Sequence, residues 1–184
     1  MTNIEMTNTS RVRTRFSAEE CNYLDRRYEQ IRSRIEINML IPPELPHIIN
    51  RLKTIAAMSY DELMGEIEAD YVIFKNCPNT KLTCEQDTTD IVGAFKELGF
   101  EAEKKLSPEE WDRVSEIQNR YRLGRTCDNV RSWLVIALRE PNKIPLQHNE
   151  DLYIWERLEA LSSLSREALT DLLEADHYLF LGCS

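Results

Sequence analysis

Acidic residues recur in one short motif that could support acid–base chemistry or hold a metal ion. The tripeptide Glu-Ala-Asp occurs at 68–70 and again at 174–176. Carboxylates that converge on one site can transfer protons or coordinate a cation. An enzyme built on them would need a polar pocket lined by Asp70, Asp176, His177 and Cys77. Because the sequence identifies no further polar group near either motif, we favour a structural role, in which the aspartates cap helices or pair with a neighbouring unit.

The cysteines and histidines offer a second possible chemistry, a zinc site. Cys77 and Cys84 are six residues apart, which is wider than the spacing of zinc knuckles, and a site would also need Cys127 and one histidine from elsewhere in the chain. The histidine-pair motifs of metalloenzymes and glycine-rich phosphate loops are absent. We therefore predict a non-enzymatic protein without metal or cofactor. Five scattered cysteines favour free thiols in a reducing compartment, the cytoplasm or nucleus.

Basic residues are concentrated near the start of the chain and suggest phosphate binding. Residues 1–60 have a net charge of +2, whereas the whole chain has a net charge of −9. The arginines that could form a basic arm and helix face are Arg11, Arg13, Arg15, Arg26, Arg27, Arg32 and Arg34. Acidic residues are interleaved with them, and mixed faces of this kind are usually solvated. Nucleic-acid binding is therefore the alternative function, and binding of another protein is the main one.

The acidic second half suits a protein partner with a basic surface. Exposed aromatic residues are frequent interface anchors, and Trp111 lies in the first turn of a predicted helix, where a large ring is often half-buried. The predicted partner-binding residues are Trp111, Glu109, Glu110 and Tyr153. Trp133 and Trp155 are instead expected in the core. Self-association to a homo-oligomer is also compatible with the narrow apolar stripe of the first helix.

Helix punctuation along the chain predicts an all-α protein of about seven to eight helices. Capping boxes at Ser17, Ser59 and Ser107 mark three helix starts, and the first of these helices should end before Pro42. No segment alternates with period two as a strand would. A short helix capped at Asp87 or Thr88 should stop at Gly99, where a glycine follows the last apolar residue.

Two separate helices are predicted after the capping box at Ser107. The helix that starts at Ser107 should stop at Gly124, and the apolar segment 130–138 should form a separate central helix or, less favoured, a buried strand.

The longest apolar stretch, Trp133 to Leu138, is far shorter than the ~20 residues that span a bilayer. The polar start of the chain lacks the apolar core of a signal peptide, so we expect a protein that is neither membrane-bound nor secreted.

An internal similarity suggests that the chain contains a duplication. Residues 44–77 align without gaps to residues 150–183, and 11 of the 34 positions are identical, including Glu-Ala-Asp and a terminal Phe-x-x-Cys. The second capping box, Ser107, echoes Ser17 at a different offset, which is also explained by the frequency of this capping pattern. We therefore predict a polar tail over 1–15, a first helical unit over 16–77, a connecting segment over 78–106 with one short helix, and a second helical unit over 107–184.

Overall fold

The structure, a computed structural model, describes residues 15–75, 77, 84–101, 104–140, 142–144, 146 and 151–180. Its helices are α1 Ala18–Leu40, α2 Pro46–Ala56, α3 Tyr60–Phe74, α4 Cys84–Leu98, α5 Pro108–Arg139, α6 Leu152–Ser163 and α7 Arg166–Leu179. The described residues contain seven helices and no strand, which confirms the all-α prediction. Residues 1–14 of the predicted tail over 1–15 lie outside the described residues. No helix in the described part is both long and apolar enough to cross a membrane.

The three predicted capping boxes form as expected. Ser17, Ser59 and Ser107 each accept a hydrogen bond from the backbone N–H three residues later, at 3.2 Å in every case. In return, the glutamate at that third position accepts from the backbone N–H of the serine. Because these contacts are local in sequence, they fix the starts of α1, α3 and α5 independently of tertiary packing.

The fourth helix ends as predicted but begins earlier. Gly99 is the one described residue with positive φ, at +71°, and the N–H of Phe100 donates to the carbonyl of Phe95 at 2.8 Å. This geometry is a Schellman-type stop, which requires glycine's freedom to adopt positive φ. The predicted start at Asp87 or Thr88 is wrong, because α4 begins at Cys84.

The predicted break at Gly124 is also wrong. α5 runs without interruption for 32 residues, so the segment 130–138 is the second half of a long helix rather than a separate element. Buried residues on both sides of the glycine, Ile117 and Cys127, keep the helix in register with its neighbours. A glycine inside a helix costs only about 1 kcal/mol relative to alanine, which packing at both ends outweighs.

The helices of the two similar segments are interleaved. α2 packs mainly against α7, and α3 packs mainly against α6. One core combines α1, α2 and the first half of α3 with Ala175 and Leu179 of α7. The other core combines α5, α6 and the start of α7 with Ala69 and Ile73 of α3. The end of α7 therefore completes the core of α1 and α2, and the end of α3 completes the core of α5 and α6.

The interleaved helices follow the same register in both segments. α2 and α6 begin at 46 and 152, and α3 and α7 begin at 60 and 166, so both pairs are offset by 106 positions. The buried aliphatics of α2, Ile48, Leu52 and Ile55, correspond at this offset to Ile154, Leu158 and Leu161 of α6. α4 stands apart from this arrangement, because it packs mainly on the first half of α5 around a small core of its own.

Candidate functional site

Charged side chains converge where the interleaved helices cross. Arg51 of α2 donates from Nε to Asp176 Oδ1 of α7 at 2.8 Å, and Arg157 of α6 donates from Nε to Asp70 Oδ1 of α3 at 2.9 Å. Both guanidinium groups also donate to Glu66 of α3, Arg157 at 3.2 Å. We call these five residues the ion-pair cluster. Each aspartate of the repeated motif therefore pairs with an arginine of the other similar segment.

The ion-pair cluster contains one more carboxylate than it has cations. Three acids face two arginines, and all five side chains are less than a third exposed. Burial raises the pKa of Asp70 and of Asp176, and the arginines oppose this only in part. Repulsion from Glu66 adds to the rise in both pKa values. The two arginines therefore join the crossing helices at a site that holds one more carboxyl group than guanidinium groups.

Two other contacts cross between the segments at positions that differ by 106. The hydroxyl of Tyr153 donates to buried Glu68 at 3.0 Å, and His47 Nε2 lies 3.3 Å from Glu174 Oε1. In the sequence, His47 corresponds to Tyr153 and Glu68 to Glu174. Together with the two arginine–aspartate pairs, these contacts link α2 to α7 in the same way that they link α6 to α3.

A cavity of about 680 Å³ opens between α1, α2, α3 and α7. Asp70, Asp176 and His177 all line it, as the enzyme hypothesis requires, whereas Cys77 is not among its lining residues. Both aspartates accept hydrogen bonds from guanidinium groups, and these contacts join the crossing helices.

The cysteines and histidines of the described residues do not assemble into a metal site. No group of three or more His, Cys, Asp or Glu side chains in the described part has a metal-binding arrangement. Cys127 is buried in α5, with its Sγ 3.5 Å from the carbonyl of Arg166. The side chain of Cys84 and the whole of His148 lie outside the described residues.

The predicted basic face is divided among internal contacts. Arg15 pairs with Asp151 at 2.9 Å, and Arg34 donates to the carbonyl of Leu179 at 3.2 Å. Arg32 donates to the carbonyl of Met58 at 2.8 Å, and Arg27 lies over the Phe180 ring. Arg26 is exposed, and Arg11 and Arg13 lie outside the described residues. Within the described residues, the arginines of this set therefore serve packing more than they form one continuous basic surface.

The predicted partner-binding residues are separated in space. Trp111 is 47% exposed at the start of α5, with its ring centroid 6.0 Å from that of Phe95. Glu109 beside it is exposed, whereas Glu110 is held by the capping box and by Lys104 Nζ at 2.7 Å. Tyr153 belongs to another core cluster and directs its hydroxyl to Glu68.

The other two tryptophans differ in burial. Trp133 is buried as predicted, and its Nε1 donates to the carbonyl of Ile73 at 2.7 Å. Trp155 is only partly buried, which corrects the expectation that it lies in the core. Its ring packs against the edge of the core, while its Nε1 donates to Glu159 at 2.8 Å on the surface of α6. A tryptophan can keep its polar edge at the surface in this way while its ring contributes to packing.

A cluster of exposed aliphatic side chains lies where α1 ends and the chain turns into α2. We call it the apolar corner; it consists of Ile37, Met39, Leu40, Ile41 and Leu45. Leu40 is 83% exposed and Ile41 is 74% exposed. The buried face of α1 is formed by other residues, Leu24, Ile31 and Ile35, so the corner is not part of the core.

The sequence reasoning missed the apolar corner, although a signal for it was present. Leu40 and Ile41 fall outside the three-and-four spacing of the first helix's stripe and stand directly before Pro42. Large aliphatics that break the buried periodicity of a helix have no internal face to occupy. Such residues are therefore candidates for an external contact.

The comparisons with known proteins add no further constraint. The chain matches no protein-family model, and searches of curated proteins and of solved structures find no significant match.

Proposed function

We propose that this chain is a non-enzymatic protein-interaction module that docks a partner protein on the apolar corner. The observation that carries the proposal is the exposure of five large aliphatic side chains within nine residues, 37–45. Single exposed apolar residues are common on protein surfaces, but contiguous groups mark sites of association. The corner combines flexible Met39 with branched Leu40 and Ile41, which can fill complementary pockets on a partner.

The interior supports a scaffold role. Each charged pair of the ion-pair cluster joins helices from different segments, and the same is true of Tyr153 with Glu68. We also propose that the two segments arose by duplication, because their helix starts, buried positions and cross-contacts recur at one offset. A duplicated pair of interleaved units provides a rigid support on which a surface loop can be presented.

The cysteines and the arginines bear on the cellular location and on the kind of partner. Among the described cysteines, Cys21, Cys77 and Cys127 form no disulfide, which supports a reducing compartment, the cytoplasm or nucleus. Arg15, Arg32 and Arg34 make contacts within the protein, so they support nucleic-acid binding less than the apolar corner supports protein binding. We therefore keep a protein partner as the primary function.

The proposal is tested by removing the apolar corner without touching the core. Leu40→Ser with Ile41→Ser should leave the circular dichroism spectrum and urea midpoint unchanged, because both side chains are exposed. Affinity purification of the tagged full chain from its native cells, with quantitative mass spectrometry, should then lose a stoichiometric partner.

A matched control replaces exposed aliphatics elsewhere. Val92→Ser with Val135→Ser removes two side chains that are 61% and 44% exposed, on α4 and α5. This variant should retain the partner that the corner variant loses. Retention of every partner by the corner variant, or equal loss in both variants, would overturn the assignment of the interface to the corner.

A further inference from the structure

Acidic residues flank members of the apolar corner in the sequence. Glu36 and Glu44 are both exposed. Glu36 directly precedes Ile37 and lies four positions before Leu40, which places Glu36 and Leu40 on one face of α1. Glu44 directly precedes Leu45. Each of the two carboxylates is therefore next in sequence to an exposed aliphatic residue of the corner.

The end of α1 adds a second negative feature. The last turn of a helix carries a partial negative charge from its unpaired carbonyl groups, which basic side chains commonly offset. The last turn of α1 contains no basic residue, whereas the last turn of α5 contains Arg139. Arg34, one turn further back in α1, donates to the carbonyl of Leu179 instead.

We propose that the partner segment docked on the apolar corner presents a large apolar side chain flanked by lysine or arginine. This inference rests on the proposed function. The apolar group would cover Leu40 and Ile41, while the cations would lie against Glu36, Glu44 and the C-terminal carbonyls of α1. A second copy of the chain fits poorly, because pairing two corners would bring four carboxylates together without a cation.

The test uses the full chain, ¹⁵N-labelled, and two synthetic amphipathic peptides as probes. Both peptides carry the same leucine face, and they differ only in having arginine or glutamate at the flanking positions. The arginine peptide should shift the amide resonances of residues 36–45 and bind more weakly as sodium chloride is raised. The glutamate peptide should not shift them.

Charge neutralisation supplies the matched variants. Glu36→Gln with Glu44→Gln should weaken binding of the arginine peptide by about two- to fivefold per carboxylate removed. Glu116→Gln with Glu156→Gln, which neutralises two exposed acids on α5 and α6, should leave the affinity unchanged.

The outcomes separate the two proposals. Equal binding of both peptides at the corner would overturn the charge inference while supporting the apolar docking surface. Shifts at the corner that grow with protein concentration alone would identify a second copy as the occupant and overturn the inference. If neither peptide shifts the resonances of residues 36–45, the charge inference is also overturned. The proposed function is tested separately, by which partners the Leu40→Ser and Ile41→Ser variant retains.

Discussion

Removing one cation from the ion-pair cluster should destabilise the fold strongly, and removing its surplus acid should not. Arg51→Met keeps an unbranched apolar stem but leaves Asp176 and Glu66 without their shared guanidinium. Glu66→Gln instead brings the cluster to two acids and two arginines, and its amide oxygen can still accept from a guanidinium group.

The expected magnitude follows from burial. Removing one partner of a buried ion pair lowers the free energy of unfolding by about 3–5 kcal/mol, because the other charge is left buried without its partner. The Arg51 side chain is 12% exposed and that of Asp176 is 28%, so the lower end, about 3 kcal/mol, applies to Arg51→Met. Arg157→Met should cost slightly less, because its acceptor Asp70 is 32% exposed. Glu66→Gln should cost less than about 1 kcal/mol.

Urea unfolding at pH 7, followed by circular dichroism, measures these differences. With a slope of about 2–3 kcal/mol per molar urea for a chain of this size, Arg51→Met should lower the midpoint by about 1 M. The control is Arg166→Met, which removes an exposed pair with Asp128 and should leave the midpoint unchanged. If Glu66→Gln lowers the midpoint as much as Arg51→Met, the reasoning from surplus charge is wrong. A midpoint unchanged by Arg51→Met would show that solvent screens the cluster.

Three further predictions concern local features and use the same unfolding assay. Gly124→Ala should raise stability by up to about 1 kcal/mol, because the residue lies inside a continuous helix, whereas Gly99→Ala should lower it by about 1 kcal/mol because Gly99 has φ +71°. A loss of stability in Gly124→Ala would indicate that α5 breaks at 124. Tyr153→Phe removes a hydrogen-bond donor to buried Glu68 and should lower the free energy of unfolding by about 1–3 kcal/mol. The control, Tyr178→Phe on the surface of α7, should leave it unchanged. Equal effects of the two substitutions would refute this role of Tyr153. The backbone N–H of Ser17, with Tyr71 and Lys75, lowers the pKa of Glu20 to about 2 from 4.5, so its contribution to stability is present above pH 4.5 and is lost as pH falls towards 2. Glu20→Gln should therefore make the loss of stability between pH 4.5 and 2 smaller, and a loss identical to that of the parent protein would contradict this assignment.

Local signals in the sequence predicted the helix starts well. A capping box involves residues three positions apart, so the starts after Ser17, Ser59 and Ser107 could be identified without knowing the fold. The continuity of α5 through Gly124 could not be predicted in this way, because it depends on contacts with α4, α6 and α7 that lie far away in sequence.

The candidate site was predictable only in part. The aspartates of Glu-Ala-Asp were identified from their repetition, but their partners Arg51 and Arg157 were not, because the pairing depends on which helices cross. The apolar corner could not be predicted from the periodicity of the buried stripe, because its most exposed residues do not belong to that stripe. Tyr153 was placed at the surface by residue type alone, although its hydroxyl faces a buried carboxylate.

The completion of one core by the end of α7 has a consequence for synthesis on the ribosome. Ala175 and Leu179 pack with residues of α1 and α2, more than a hundred positions earlier in the chain. Contacts between segments so distant in sequence form late and slowly. The N-terminal helices therefore leave the ribosome with an unfilled apolar face and reach their final packing only after α7 has been translated. An apolar face exposed during that interval favours aggregation.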